Sequence, residues 1–237
     1  MRILFLGDIV GRAARREIVR CVPQWREAWR LDFVIVNAEN AAGGFGVTEK
    51  ICTALFAAGV DVLTSGNHVW DQSETLSHIA REPRLLRPLN YAADLPGRGA
   101  GLFALAHAPE RRVLVLNAQG QLFMGACDNP FAAVDKELAA CPLGQADAIV
   151  LDFHTEASSE IMAMGHACDG RLSLVVGTHT HVPTADAQIL PRGTAYLTDA
   201  GMCGDYLSVI GMEAEEGTRR MVSKVRAEPV RRAGGDR

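Results

Sequence analysis

The stretch LSLVVGTHTH at residues 172–181 joins an apolar run to a pair of histidines. A short run rich in valine and leucine that stops at a glycine is typical of a buried β-strand. His179 and His181 follow it two residues apart, in a chain with only 7 histidines. If the chain stays extended there, both rings project to one side. Two interpretations are open at this point: an ordinary strand end, or a metal site at the edge of a sheet.

The length and charge of the chain limit the number of domains it can form and the partners it can bind. It has 237 residues, 48% of them hydrophobic, which suffices for one large core. No linker-like tract divides it, so we expect a single domain over residues 1–225, followed by an Arg-rich, disordered tail at residues 226–237. The net charge of −4 gives no electrostatic basis for tight, non-specific nucleic-acid binding.

Cysteines and apolar runs narrow the class of protein further. The 6 cysteines are scattered without a C-x-x-C pair, so neither a disulfide framework nor a zinc ribbon is predicted. No apolar run reaches the length of a membrane span, and the run at residues 3–6 is too short for a signal peptide. These features predict a soluble, cytoplasmic protein without membrane contact.

Strand-like and helix-like segments alternate through the first half of the chain, which predicts a parallel α/β sheet. The D-Q-S-E sequence at residues 71–74 resembles a capping box and predicts a third helix to about residue 81. Thr48 is the expected N-cap of the second helix. The predicted elements are strands at residues 3–6, 33–37 and 60–63 and helices at residues 12–29 and 48–58.

The second half of the chain predicts a mixed sheet with helices outside it. Hairpins are expected at its beginning and end, with buried strands and helices between them. In order, these are a hairpin at residues 101–106 and 112–117, a helix at 131–139, a strand at 148–153, a helix at 156–168, a strand at 172–176 and a closing hairpin at 188–190 and 194–197.

Side chains able to bind a metal or move a proton follow these predicted strands. Sites in open α/β sheets form at the carboxyl ends of strands. Such a repeated coincidence is poorly explained by turn formers or core histidines, so it favours a functional site. Carboxylates, carboxamides and imidazoles together suit Mn, Fe, Zn, Ni or Co rather than Ca or Mg. The residues are Asp8, Glu39, Asn40, Asn67, His68, His154, His179 and His181.

These ligands are numerous enough for two ions. Two ions about 3.5–4 Å apart need a bridging carboxylate and can clamp a phosphoryl group from both sides. Some neighbouring residues have simpler interpretations. We interpret Asp71 as a helix cap, Glu156 as a helix start, and residues 43–46, GGFG, as a flexible turn lining the cleft.

The motifs GD at residues 7–8, NAEN at 37–40, GNH at 66–68 and GTHTH at 177–181 resemble the calcineurin-like metallophosphoesterases. The resemblance is closer to one branch, the YmdB-like phosphodiesterases of bacteria, and extends from Gly7 to Met202. It implies an α/β fold of two mixed β-sheets sandwiched between outer helices (α/β/β/α). The blocks that carry the closer resemblance include GNHVWD, EPRLLRPLNY, DNPF, DFHTEASSE and LPRGTAYLTDAGM.

The resemblance also implies a role for each site residue. One ion would take Asp8, Glu39, Asn40 and His181, and the other Glu39, Asn67, His154 and His179. Glu39 would bridge the two ions, and His68 would protonate the leaving-group oxygen. The general superfamily begins with Asp-x-His. Here Val10 replaces that histidine, and Asn40 is implied to fill its place.

The hypothesis is a dinuclear, metal-dependent phosphodiesterase in which a metal-bridging hydroxide attacks phosphorus. The resemblance implies 2′,3′-cyclic nucleotides and 3′,5′-cyclic AMP as substrates, and Fe or Mn ahead of Zn, Ni or Co as cofactors. It also implies a homo-oligomer and a partner in RNA turnover. Two alternatives stay open: a phosphomonoesterase or nucleotidase on the same metals, and a non-catalytic, metal-binding regulatory protein.

Overall fold

A computed structural model of the protein describes residues 1–141, 144–223 and 233. Strands and helices alternate along most of the chain. The elements are β1 (Ile3–Leu6), α1 (Gly11–Trp29), β2 (Phe33–Asn37), α2 (Glu49–Ala57), β3 (Val62–Thr64), α3 (Thr75–Ile79), β4 (Ala100–Leu105), β5 (Ala108–Gln119), α4 (Pro130–Ala140), β6 (Ala148–His154), α5 (Ser158–Cys168), β7 (Leu174–Thr178), β8 (Gln188–Ile189), β9 (Ala195–Leu197) and α6 (Ala214–Ser223).

The strands form two sheets. The smaller has the order β1-β2-β3, and the larger has the order β4-β5-β6-β7-β9-β8. Strands β5, β6, β7 and β9 are parallel, whereas β4 and β8 join as antiparallel hairpin partners. The predicted α/β class and both hairpins are confirmed. The smaller sheet is wholly parallel, because α1 and α2 connect its strands as crossovers.

The two sheets pack face to face between helical layers. In β2, Phe33 and Ile35 face the larger sheet, and Val34 and Val36 face the helices. This alternation follows from the two-residue period of a strand. The outer face of the larger sheet is covered by α4 and α5 through Val134, Ile161 and their neighbours. The layers are therefore helix, sheet, sheet and helix, as the resemblance implied.

The third helix differs from its prediction. It covers only Thr75–Ile79, and its N-cap Glu74 makes no side-chain capping bond. The Asp71 carboxylate instead lies 2.7 Å from His68 Nδ1. The predicted capping box is therefore wrong, because Asp71 has a competing partner. Thr48 does cap α2, since its side chain accepts a hydrogen bond from Ile51 N.

The predictions about the domain, the tail, the cysteines and membrane spans concern the whole chain. The single domain over residues 1–225 stays a prediction, and the tail at residues 226–237 lies outside the described residues except for Ala233. All six cysteines are free thiols. In the part of the chain that the structure describes, no helix combines the length and apolarity needed to cross a bilayer.

Gly177 in β7 provides a test of the packing beside the sheet edge. A Cβ at this position would lie 1.8 Å from the Thr198 carbonyl oxygen, because the chain after β9 passes directly over it. We expect Gly177→Ala to destabilise the protein by about 2 kcal/mol or more. That corresponds to a melting temperature lower by roughly 4–8 °C, measured by thermal unfolding.

Gly125→Ala is the matched control, because a Cβ there would meet no atom within 4 Å. Equal melting temperatures for the two variants would contradict the close approach at Gly177.

Candidate metal centre

Both sheets meet at the carboxyl ends of their strands, around the buried carboxylate of Asp152 in β6. Asn37 Nδ2 donates to Asp152 Oδ2 at 3.0 Å, and Thr64 Oγ1 donates to the same oxygen at 2.5 Å. Thr178 Oγ1 donates to Oδ1 at 2.7 Å. Burial raises the pKa of Asp152 to about 6, against these hydrogen bonds and the charge of His154. These bonds align the strand ends from which the candidate ligands project.

His154 lies at the centre of the candidate site. Its Nε2 is 3.0 Å from Glu39 Oε1, 3.0 Å from Asn67 Oδ1 and 3.0 Å from His179 Nδ1. The ligand atoms of Glu39, His154 and His179 all lie within 4.8 Å of one another. Such convergence of carboxylate and imidazole atoms fits a divalent transition metal.

Buried groups of opposite charge shift one another's pKa at this point. Burial alone would raise the pKa of Glu39, but His154 and His68 outweigh it and lower that pKa to about 2. Burial likewise lowers the pKa of His154, but Glu39, Asp8 and Asp152 outweigh it and raise that pKa to about 9. Positive charge on the His154 ring therefore stabilises the buried carboxylates where the candidate ligands converge, and a cation bound there would supply the same stabilisation.

His154, His179 and His181 share one pattern of contacts. Each ring has one nitrogen beside an oxygen atom outside the cluster, while the other nitrogen faces inward. A proton on the outer nitrogen leaves the inner one with a lone pair for a metal. The outer pairs are His154 Nδ1 with Thr178 Oγ1 at 2.8 Å, His179 Nε2 with Glu156 Oε2 at 3.3 Å, and His181 Nδ1 with the Ile210 carbonyl oxygen at 2.8 Å.

A second group of candidate ligands surrounds His181. Asp8 Oδ1 lies 4.0 Å from His181 Nε2, and this buried oxygen has no hydrogen-bond partner among the described residues. Burial raises the pKa of Asp8 well above its ordinary value. Asn40 Nδ2 is 3.0 Å from His181 Nε2 and 3.1 Å from Glu39 Oε1. An orphaned carboxylate oxygen beside an inward imidazole nitrogen fits a cation, and Asn40 would join by turning its amide oxygen inward.

The loop that carries His179 and His181 is not extended. Their φ angles are 116° and 65°, in the left-handed region that non-glycine residues seldom adopt. Thr180 between them is held by Asp199 Oδ2, through its backbone N at 3.0 Å and its Oγ1 at 2.8 Å. The extended chain on which a shared side depended is therefore wrong, although both rings still face the cluster. A strained turn fixed by a buried aspartate orients the two rings.

His68 lies at the rim of the cluster. Its Nδ1 is 2.7 Å from Asp71 Oδ2, and its backbone N donates to Glu39 Oε2 at 3.2 Å. The chain reaches this position because Gly66 has no side chain, since a Cβ there would lie 2.3 Å from Glu39 Oε2. The Phe45 ring contacts the His68 ring edge-on, with 4.9 Å between centroids.

The structure thus brings all the candidate ligands and His68 into one connected cluster. Their division between two ions stays a prediction. Val10, at the position where the resemblance implies that the general superfamily has a histidine, is buried. His78 and His107 contact other acids, Glu49 at 3.8 Å and Asp32 at 2.9 Å.

Four acidic residues around the cluster were missed by sequence reasoning. Asp71 and Glu156 orient histidines, although they were expected to serve helices, and Asp152 and Asp199 had no predicted role. Asp152 carried a readable signal, because it is a lone charge within the apolar run AIVLDF at residues 148–153. Nothing local distinguished Asp199.

Comparison with known proteins places this arrangement in a family. The model of the family described as YmdB-like protein matches residues 4–235. The 2′,3′-cyclic-nucleotide 2′-phosphodiesterase of Bacillus subtilis (strain 168) is 44% identical over 231 residues, covering 98% of this chain and 85% of that protein.

Solved structures give the same result. A hypothetical protein from Thermus thermophilus superposes with a TM-score of 0.91 at 41% identity, covering 99% of this chain and 89% of that one. A crystal structure described as a novel phosphatase of Mycoplasma pneumoniae has a TM-score of 0.89 at 34% identity, covering 98% and 83%. The chain therefore belongs to the YmdB-like protein family.

Proposed function

We propose that the protein is a dinuclear, metal-dependent phosphodiesterase that hydrolyses 2′,3′-cyclic nucleotides and also 3′,5′-cyclic AMP. The observation that carries the proposal is the shared orientation of the histidines. Each directs one nitrogen into a cluster of buried carboxylates and amides and has an oxygen beside the other. The activity named for the Bacillus subtilis relative supports the choice of substrate.

The proposed ligands divide into two sets that share Glu39. The ions are Fe or Mn, with Zn, Ni and Co as alternatives that the same donors accept. When bound, they supply the positive charge that a phosphoryl group needs and lower the pKa of water towards neutrality. One set is Asp8, Glu39, Asn40 and His181, and the other is Glu39, Asn67, His154 and His179.

His68 is the proposed catalytic acid. With Nδ1 held by Asp71 at 2.7 Å, its Nε2 can direct a proton at a leaving-group oxygen. The contact with the carboxylate of Asp71 fixes the orientation of the ring, and 28% of the His68 side chain is exposed, which gives the substrate access. This arrangement favours catalysis over a purely regulatory metal site, because metal binding alone needs no such pair.

A phosphomonoesterase on the same metals is the second candidate, because the Mycoplasma pneumoniae structure is described as a phosphatase. A cytoplasmic location remains a proposal from the cysteine pattern and apolar runs of the sequence, whereas a homo-oligomer and a partner in RNA turnover are proposals that rest on family resemblance.

Removal and replacement of the metals test the proposed function. Protein stripped with a chelator should lose its activity, and Mn or Fe should restore it. The restored protein should hydrolyse 2′,3′-cyclic AMP and the base-free diester bis(p-nitrophenyl) phosphate faster than the monoester p-nitrophenyl phosphate. Faster hydrolysis of the monoester would favour the phosphatase. No activity after reconstitution, with less than one ion bound per chain, would favour a non-catalytic protein.

Replacement of His68 tests the acid. His68→Ala should lower kcat for a diester with a poor leaving group by roughly 100-fold or more, the usual size of a general-acid contribution. Elemental analysis should show unchanged metal content. His166→Ala is the control, since His166 is exposed on α5. An unchanged rate for His68→Ala would show that His68 is not the catalytic acid.

Replacement of the bridging carboxylate tests the dinuclear centre. Glu39→Gln keeps the shape but removes a ligand charge from both ions, so metal content should fall from about two ions per chain to one or fewer. Activity should drop at least about 100-fold, beyond the effect of losing an outer-shell partner. Glu110→Gln, at an exposed position of β5, should retain both ions. Two ions in Glu39→Gln would show that Glu39 does not bridge.

A further inference from the structure

A cavity of about 500 Å³ lies between the segments that follow β3 and β5. Its lining includes the aromatic residues Trp70 and Tyr91, the apolar Leu95 and, beside Cys127, the acidic residue Asp128. This size falls within the range of small-molecule sites, and aromatic walls with a single polar group suit a flat, aromatic ligand.

Two residues of the cavity wall, Trp70 and Tyr91, are linked to the candidate metal centre through their neighbours. Trp70 is two residues beyond His68 in the chain. On the other side, the Tyr91 hydroxyl donates to Gln119 Oε1, and Gln119 pairs in register with His154. Burial, with the charge of Glu39 as the next contribution, raises the pKa of Tyr91. A ligand whose phosphate reached the metal centre would therefore extend its other end towards this cavity.

The segment carrying Asp128 is fixed by the buried side chain of Asn90. Asn90 Nδ2 donates to the Asp128 carbonyl at 2.9 Å and to the Gln119 carbonyl at 2.8 Å. Asn90 Oδ1 accepts from Gln119 N at 2.9 Å, and the Asn90 carbonyl accepts from Asp128 N at 2.8 Å. Asn129, the next residue, caps α4 through its side chain. Asp128 is thus held rigidly against the strand next to His154.

The carboxylate of Asp128 is free to meet a ligand. It is exposed and makes no hydrogen bond or ion pair with the described part of the chain, unlike the backbone of the same residue. A carboxylate accepts two adjacent N–H groups, which it binds in a bidentate manner. Guanine presents such a pair, N1–H and N2–H, on its Watson–Crick edge. Adenine and cytosine place a ring-nitrogen lone pair beside their amino group, and uracil flanks N3–H with carbonyls.

We propose that this cavity binds the base of the nucleotide substrate and that Asp128 selects guanine. The base stacks against the rings of Trp70 and Tyr91, and its N1–H and N2–H donate to the two oxygens of Asp128. The proposal rests on the proposed function, because it assumes that the phosphodiester of the same molecule lies at the metal centre.

Kinetics with matched substrates test the selection. The metal-loaded protein should show a kcat/KM for 2′,3′-cyclic GMP about tenfold or more above that for 2′,3′-cyclic AMP, the expected size of a charge-assisted pair of bonds. Asp128→Asn should reverse this preference, because a carboxamide accepts from the amino group of adenine and donates to its N1 but offers guanine only one acceptor. Its rate on bis(p-nitrophenyl) phosphate, which carries no base, should change less than its rate on cyclic GMP. Asp94→Asn, at an exposed carboxylate of the neighbouring loop, should keep the preference.

Binding of nucleosides gives a readout that does not need turnover. Guanosine should bind the metal-loaded protein more tightly than adenosine by a similar factor, and Asp128→Asn should reverse the order of the two affinities. Equal kcat/KM for the two cyclic nucleotides would overturn the proposal, as would an Asp128→Asn variant that slows the base-free diester as much as cyclic GMP. Failure to hydrolyse any diester would instead overturn the proposed function, and nucleoside binding would then decide on the cavity.

Discussion

One buried carboxylate, Asp152, determines how the two sheets meet. Its hydrogen-bond donors come from the last residues of three strands: Asn37 of β2, Thr64 of β3 and Thr178 of β7. A buried charge without such partners is strongly destabilising, so the strand ends cannot slide apart without losing these bonds. Three of the loops that carry candidate ligands begin immediately after these residues. The relative placement of ligands from both sheets therefore depends on this group, together with Asn117 of β5, which exchanges two hydrogen bonds with Ser65 after β3.

Asp152 also determines, through Thr178, which nitrogen of His154 carries the proton. Thr178 Oγ1 donates to Asp152, so its lone pair is what remains for His154 Nδ1, at 2.8 Å. This places the proton of His154 on Nδ1 and leaves Nε2 for the cluster. Around it, buried carboxylates and the left-handed backbone of His179 and His181 are local features that oppose stability. Ligand binding at the cluster would relieve the charge part of that cost, which couples metal affinity to folding.

The sequence predicted best what depends on local pattern. The buried strands and hairpins follow from the spacing of apolar residues, and the positions of the candidate ligands follow from polar residues at strand ends. What it missed depends on contacts between distant or competing groups. The Asn37 bond to Asp152 joins residues 115 apart in the chain, and no local pattern encodes it. Asp71 could cap a helix or pair with His68, and the local sequence allows both. The pairing depends on the close approach of Gly66 to Glu39, which brings His68 to the site.

The replacement of a histidine by Val10 has a physical explanation. The Val10 side chain is buried, Gly211 leaves room for it, and the Val10 backbone N donates to the Cys203 carbonyl at 2.9 Å. Asn40, the neighbour of Glu39, lies instead beside His181. A carboxamide is neutral like an imidazole, so the charge of the ligand set is unchanged. Its oxygen, however, is a harder donor than a ring nitrogen. In the proposed set of Asp8, Glu39, Asn40 and His181, we therefore expect an ion that favours oxygen ligands, Fe or Mn over Zn.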